Sequence, residues 1–192
     1  MLDGALRATF RNFSTLFLLV ALVTVPLHVA HAYFFRQVIA VDELHGAIER
    51  FPEGRQVRRV GVEELRDARL GLLGLSLLEV ALLPVALSAA QHALATPADE
   101  VPTVWGAWLG VRRGAPAGLL PPAAAVPSAL VGAGLALLVG VMARAVGLLL
   151  VESLSDPVAF AGVGLVEGTS RALAGAFLLG VAGAAALRAK DT

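Results

Sequence analysis

Three ionisable side chains lie inside long apolar stretches of this sequence, where a charge is costly. They are His28, Glu79 and Arg144, each in a different stretch. Ionisable groups at membrane depth commonly form proton relays, ion pathways or polar substrate sites. The alternative interpretation, which we favour from the sequence, is a structural pair that fixes helix packing. Both interpretations start from the same set of candidate residues.

The depth of Glu79 in its stretch suggests which of these groups could meet. Glu79 lies nine residues into the apolar run that begins at 70, which is about 14 Å along a helix at 1.5 Å per residue. His28 lies at a comparable depth in the preceding, antiparallel run. The sequence therefore allows a contact of Glu79 with either His28 or Arg144.

Other chemistry is poorly supported by the residue types. His28 and His31 are three residues apart and could join Glu79 in a partial metal site, although His31 at a headgroup level is the favoured interpretation. The chain has no cysteine, which excludes thiol catalysis, thiolate metal sites and disulfides. No nucleophile and base are suitably spaced, so we predict no enzyme activity, no cofactor and no metal.

The apolar stretches that would position these residues are long enough to cross a bilayer. The chain is 57% hydrophobic with a mean hydropathy of +0.78, and a hydrocarbon core of about 30 Å needs roughly 20 apolar residues per helix. We predict an all-α, polytopic membrane helical bundle over residues 1–192. The expected spans are 14–35, 70–95, 115–151 and 171–187.

The number of spans depends on the third stretch. Residues 115–151 could form one long kinked span or two short spans folded as a hairpin, so four spans are favoured and five or six stay open. Pro26 and Pro84 are expected to kink the first two spans. An alternative for the N-terminus is a signal peptide cut near Ala30-His31-Ala32, but a retained first span is favoured.

Three short amphipathic segments and one charged loop connect the spans. Residues 2–13, 101–113 and 158–170 are predicted as interfacial helices, and Trp105 and Trp108 as interface anchors. Residues 36–69 form the one sizeable charged loop, and we expect its end to run as a helix directly into the second span. The positive-inside rule places the following cations in the cytoplasm if the number of spans is even, which we favour: Arg7, Arg11, Arg112, Arg113, Arg188 and Lys190.

Two stretches carry a resemblance to a known family. Residues 2–26 (LDGALRATFRNFSTLFLLVALVTVP) join a basic, Asn-Phe-containing helix to a span ending near proline, and residues 142–173 contain Glu152, Ser170 and Arg171 in a second shared pattern. This arrangement resembles the membrane domain attached to bacterial glycerophosphodiester phosphodiesterases and related polytopic proteins. No phosphodiesterase catalytic domain is recognisable, so the resemblance implies a membrane scaffold and no hydrolytic activity.

The sequence therefore favours a non-enzymatic integral membrane protein, a scaffold or subunit of a membrane complex. The alternative is a small transporter or permease component that uses Glu79, His28 and Arg144. The expected partners are the lipid bilayer and a protein of the same complex. With a formal net charge of zero, no nucleic acid is expected. The expected location is the cell membrane, as a multi-pass protein of a bacterial inner or plasma membrane.

Overall fold

The computed structural model describes residues 2–35, 62–97, 100–113, 126–151 and 156–188. Within these ranges the chain forms six α-helices and no β-strand. The helices are α1 (Leu2–Arg11), α2 (Phe13–Phe34), α3 (Val62–Ala95), α4 (Val104–Arg113), α5 (Val126–Val151) and α6 (Asp156–Arg188).

Four of the described helices are long and apolar enough to cross a membrane. Their candidate spans are Phe13–Phe34 in α2, Arg66–Ala95 in α3, Val126–Val151 in α5 and Ala161–Arg188 in α6. Apolar side chains surround each of these helices instead of following one stripe, which is the pattern of a membrane span or a fully buried helix. The all-α fold class and the favoured set of four spans are thus confirmed for the described residues.

Helix α6 lies at the centre of the bundle. It packs most extensively against α2 and α5, and also against α1 and α3, whereas α3 and α5 barely touch each other. In its most apolar 18-residue stretch 56% of the residues are buried, against none in α3 and 11% in α5. Small buried side chains let the neighbours of α6 approach closely; they include Ala172, Ala176, Ala184 and Ala185.

Helices α2 and α6 approach each other backbone to backbone at two glycines of α6 one turn apart. A Cβ atom on Gly168 would lie 2.6 Å from Cα of Val25, and one on Gly164 would lie 2.9 Å from Cβ of Ala32. The hydroxyl of Thr24 donates a hydrogen bond of 3.0 Å to the carbonyl oxygen of Gly168. This contact is a small-xxx-small interface of the kind that joins membrane helices.

The expected boundary between residues 170 and 171 is wrong. Residues 158–170 and 171–187 were expected as an interfacial helix and a separate span, but α6 continues without a break from Asp156 to Arg188. No proline follows Pro157 in α6, and the polar residues near 170 do not end the helix. The charged segment 36–69 is helical from Val62 onwards, since α3 runs directly into the second span as expected; residues 36–61 lie outside the described residues.

The structure describes part of the third apolar stretch, 115–151. Val126–Val151 is one helix of 26 residues, which excludes a hairpin within that range, while 114–125 lie outside the described residues. Helices α2 and α3 continue through Pro26 and Pro84. The expected short helices at 2–13 and 101–113 correspond to α1 and α4.

Candidate intramembrane polar site

Glu79 on α3 is held by one side chain from α2 and one from α6. Its Oε1 lies 2.9 Å from Nε2 of His28, where an imidazole N–H can donate to the carboxylate. Its Oε2 accepts a hydrogen bond of 2.5 Å from Nη1 of Arg171. His28 is fully buried, whereas the Arg171 side chain is 35% exposed. Both oxygens of the carboxylate are therefore satisfied by protein donors, as a charge away from water requires.

A second ion pair lies beside the first. Arg144 of α5 donates to Glu167 of α6, and Glu167 precedes Arg171 by four residues, so both lie on one face of α6. The five side chains are called here the polar cluster: His28, Glu79, Arg144, Glu167 and Arg171. The cluster links all four candidate spans and carries no formal net charge when the imidazole is neutral.

The polar cluster borders a cavity of about 590 Å³. Glu79, Arg144, Glu167 and Arg171 line it at the polar end, and Trp108 of α4 also contributes to its wall. The remaining wall is mostly apolar and includes Leu19, Val20, Val23, Leu82, Leu83, Ala86, Ala136, Leu137, Val141, Leu178 and Leu179. Because α3 and α5 flank the cavity without packing on each other, it is a groove on the side of the bundle.

The predicted contact of Glu79 with His28 is present, and the alternative contact of Glu79 with Arg144 is not. Arg144 instead pairs with Glu167, and the cation that pairs with Glu79 is Arg171. Sequence reasoning named Arg171 only within the family resemblance and predicted neither α6 residue at this site, because it placed a helix break between them. The signal that could have found them is their spacing of four residues within one continuous helical pattern.

The remaining candidate from the sequence, His31, lies outside the polar cluster. Nε2 of His31 lies 3.1 Å from the carbonyl oxygen of Ala68 on α3, one turn beyond His28. Among the described residues, no three His, Asp or Glu side chains come together as a metal-binding group. His31 is thus part of the α2–α3 packing.

The two tryptophans of α4 have different surroundings. Trp105 is 72% exposed, as expected for an anchor at a membrane interface. Trp108 turns toward the cavity, and its indole Nε1 is buried without a hydrogen-bond partner. Trp105 is therefore on the outside of the bundle, whereas Trp108 lines the cavity.

Comparison of the chain with protein-family models, curated proteins and solved structures finds no match. The resemblance of residues 2–26 and 142–173 to the phosphodiesterase-linked membrane domain therefore stays a prediction.

Proposed function

We propose that this chain is a non-enzymatic scaffold or subunit of a complex in a cell membrane, of the bacterial inner or plasma membrane type. The observation that carries the proposal is the exposure of Arg144. Its side chain pairs with Glu167 but remains 47% exposed, and it lines the groove between α3 and α5. Exposed leucines alone would be compatible with lipid tails; an exposed guanidinium is not.

The cost of a charged side chain inside the membrane favours a partner protein that covers Arg144. A charged side chain at the centre of a membrane helix costs about 2.5–3.5 kcal/mol on insertion scales. Arg144 lies seven residues before the end of α5 at Val151, about 10 Å from that end, so its head can reach the interface only in part. A partner helix packed in the groove would remove the remaining contact with lipid and supply a polar group to the pair.

The groove walls carry exposed apolar side chains that a further helix would cover. Leu83 of α3 lines the same groove as Leu137 and Val141 of α5, and these three side chains are 40%, 70% and 59% exposed. Close packing of a further helix there would bury these side chains together with Arg144. The implied scaffold role also agrees with the predicted family resemblance.

Purification from membranes in mild detergent, with photo-crosslinking, tests the proposal. A photoreactive amino acid in place of Leu137 should yield one discrete protein adduct and a stoichiometric co-purifying partner. The same amino acid in place of Trp105, which is exposed but outside the four candidate spans, is the control and should not. A protein that purifies alone, with lipid adducts at both positions, contradicts the proposal.

A transporter or permease component is the second candidate. It is favoured by the placement of Glu79 and Arg171 on a cavity of about 590 Å³ among four candidate spans. Transport predicts that Glu79→Gln abolishes solute or proton flux in proteoliposomes while folded protein is retained. A scaffold predicts instead that the same substitution reduces stability or assembly, with no flux to lose.

A further inference from the structure

Arg171 has more hydrogen-bond donors than its protein partner uses. A guanidinium group carries five N–H donors and no acceptor. In the described part of the chain, Arg171 makes one hydrogen bond, from Nη1 to Oε2 of Glu79, which leaves four N–H groups without a protein acceptor. The Arg171 side chain is 35% exposed and lines the cavity of about 590 Å³ beside the polar cluster. An acceptor placed in that cavity can therefore reach these donors.

The donors of Arg171 lie too deep for lipid headgroups. Arg171 comes ten residues after the start of the candidate span Ala161–Arg188, which is about 15 Å along the helix. Half of a hydrocarbon core about 30 Å thick is the same distance. A polar group left unpaired at that depth is strongly unfavourable. The acceptor that suits Arg171 therefore belongs to a molecule that enters the hydrocarbon core.

The positive charge of Arg171 is already balanced by a carboxylate. Glu79 pairs with Arg171 through Oε2 and with His28 through Oε1. An anionic ligand would bring a second negative charge beside Glu79, and an unbalanced charge in an apolar site is costly. A neutral acceptor such as a carbonyl oxygen takes the open N–H donors and adds no charge. The arrangement therefore favours a neutral ligand over an anion.

The cavity is polar at one end and apolar at the other. On α6, Arg171 lines the polar end and Leu178 lines the wall two turns further along, about 10 Å away at 1.5 Å per residue. On α3 the order is the same, from Glu79 to Ala86. A volume of about 590 Å³ with a mostly apolar wall and a few polar groups is typical of small-molecule sites. A ligand with one polar end and an apolar body fits this shape.

From these contacts we propose that the cavity binds a neutral lipophilic molecule whose carbonyl oxygen accepts hydrogen bonds from Arg171 and whose apolar body lies along Leu178 and Ala86. Lipid-soluble esters, ketones and quinones share this chemistry. The proposal goes beyond the scaffold role and does not rest on it, and binding requires no flux across the membrane. The competing explanation is that water in the open groove satisfies Arg171, which would require no ligand.

Quenching of tryptophan fluorescence by brominated probes separates these explanations. The chain has two tryptophans; Trp108 lines the cavity and Trp105 is 72% exposed, so Trp105→Phe leaves one reporter in the cavity wall. The full-length protein with this substitution is titrated in mild detergent with methyl 9,10-dibromostearate or with 9,10-dibromooctadecane, which lacks the carbonyl group. We expect saturable quenching by the ester at a concentration about tenfold lower than by the hydrocarbon, because a charged donor makes a strong hydrogen bond. The dibromostearate anion at alkaline pH should bind less tightly than the ester.

One pair of variants changes the donors and keeps the charge. Arg171→Lys retains a cation beside Glu79 but replaces the planar fork of donors with a compact ammonium group. It should bring the affinity for the ester close to that for the hydrocarbon. Arg66→Lys makes the same change at an exposed arginine beside Asp67, away from the residues that line the cavity, and should leave the preference for the ester unchanged.

A second pair of variants changes the shape of the cavity and keeps every charge. Ala86→Leu adds a larger side chain at the apolar end of the cavity and should reduce quenching by the ester. Ala81→Leu adds the same side chain at an exposed position of α3 that is not among the residues lining the cavity, and should not. This pair keeps the test valid if Arg171→Lys fails to fold.

Three results would overturn the proposal. Equal quenching by the ester and the hydrocarbon would mean that water, and not a ligand, satisfies Arg171. Tighter binding of the dibromostearate anion than of the ester would mean that the site selects a charged group. Quenching by the ester that neither Arg171→Lys nor Ala86→Leu reduces would mean that the probe binds outside the cavity.

Discussion

Glu79 and Arg171 are 92 residues apart in the chain and lie 2.5 Å apart between Oε2 and Nη1. The pair joins α3 to α6, the helix at the centre of the bundle. No residue in the most apolar stretch of α3 is buried, so packing alone attaches the middle of this helix weakly. The ion pair, with His28, is therefore the main polar link between α3 and the rest of the described bundle.

Removing one partner of this link should destabilise the protein more than removing both. Glu79→Ala leaves Arg171 without its carboxylate, and breaking a buried pair costs about 3–5 kcal/mol; because Arg171 is 35% exposed, we expect the lower end of that range. Arg171→Ala should have a similar effect. Unfolding in mixed SDS and mild-detergent micelles measures the free energy for both variants and for the double variant.

The double variant gives the coupling free energy between the two positions, which decides whether the ion pair links the helices. A coupling free energy of about 1 kcal/mol or more between positions 79 and 171 is expected for groups in direct contact. Arg66 and Asp67, an exposed pair on α3, form the matched control, whose coupling should be below about 0.5 kcal/mol. Additive effects at 79 and 171 would mean that the ion pair does not link the helices.

The close contact of α2 with α6 predicts a sharp difference between glycines. Gly168→Ala places a methyl group against the backbone of Val25, which cannot move aside as a side chain would, and overpacking of this kind costs about 1–3 kcal/mol. Thermal unfolding in detergent should show a clear loss of stability. The measurement is the shift in midpoint relative to the unchanged protein.

Gly134→Ala on α5 is the control for that substitution. No atom lies within 4 Å of the added methyl group, and alanine favours a helix over glycine by about 1 kcal/mol. We therefore expect unchanged or slightly raised stability. Equal losses at 134 and 168 would argue against a tight α2–α6 interface.

Sequence reasoning identified the spans and half of the site for a clear reason. Long apolar runs indicate membrane helices directly, and Glu79 and His28 stand out because each lies inside such a run. Arg171 and Glu167 did not stand out, because they lie in a stretch rich in small and polar residues that indicated a surface helix. Gly164 and Gly168, which meet the α2 backbone, were missed with them.

The sequence did not show how the helices pack against one another. Whether residues near 170 end a helix depends on what surrounds them, since α2, α3 and α5 contact that part of α6 and supply partners for its polar groups. The sequence gives no direct sign of which helix lies at the centre. Arg144 was correctly identified as an unusual cation, but its partner depended on the rotation of α6.

The buried indole of Trp108 predicts a substitution that does not harm the fold. Its Nε1 has no hydrogen-bond partner, and an unsatisfied buried donor costs about 1–3 kcal/mol. Trp108→Phe removes the donor and keeps an aromatic ring against the cavity, so stability should be unchanged or higher despite the smaller ring. Thermal unfolding followed by circular dichroism measures this, and a large loss would imply that the indole N–H has a partner in the membrane.

The pair of Arg144 and Glu167 allows stability and assembly to be measured apart. Arg144→Leu alone leaves Glu167 uncompensated and should destabilise the protein. Replacing both residues with leucine removes the charges together; such replacements of a buried pair are often neutral or stabilising, and because Arg144 is 47% exposed we expect a neutral effect. If the groove receives a partner helix that recognises the ion pair, the double variant should be at least as stable in detergent as the unchanged protein and yet lose its co-purifying partner. If the double variant retains the partner in full, recognition does not involve Arg144, and the exposure of this residue no longer supports the scaffold proposal.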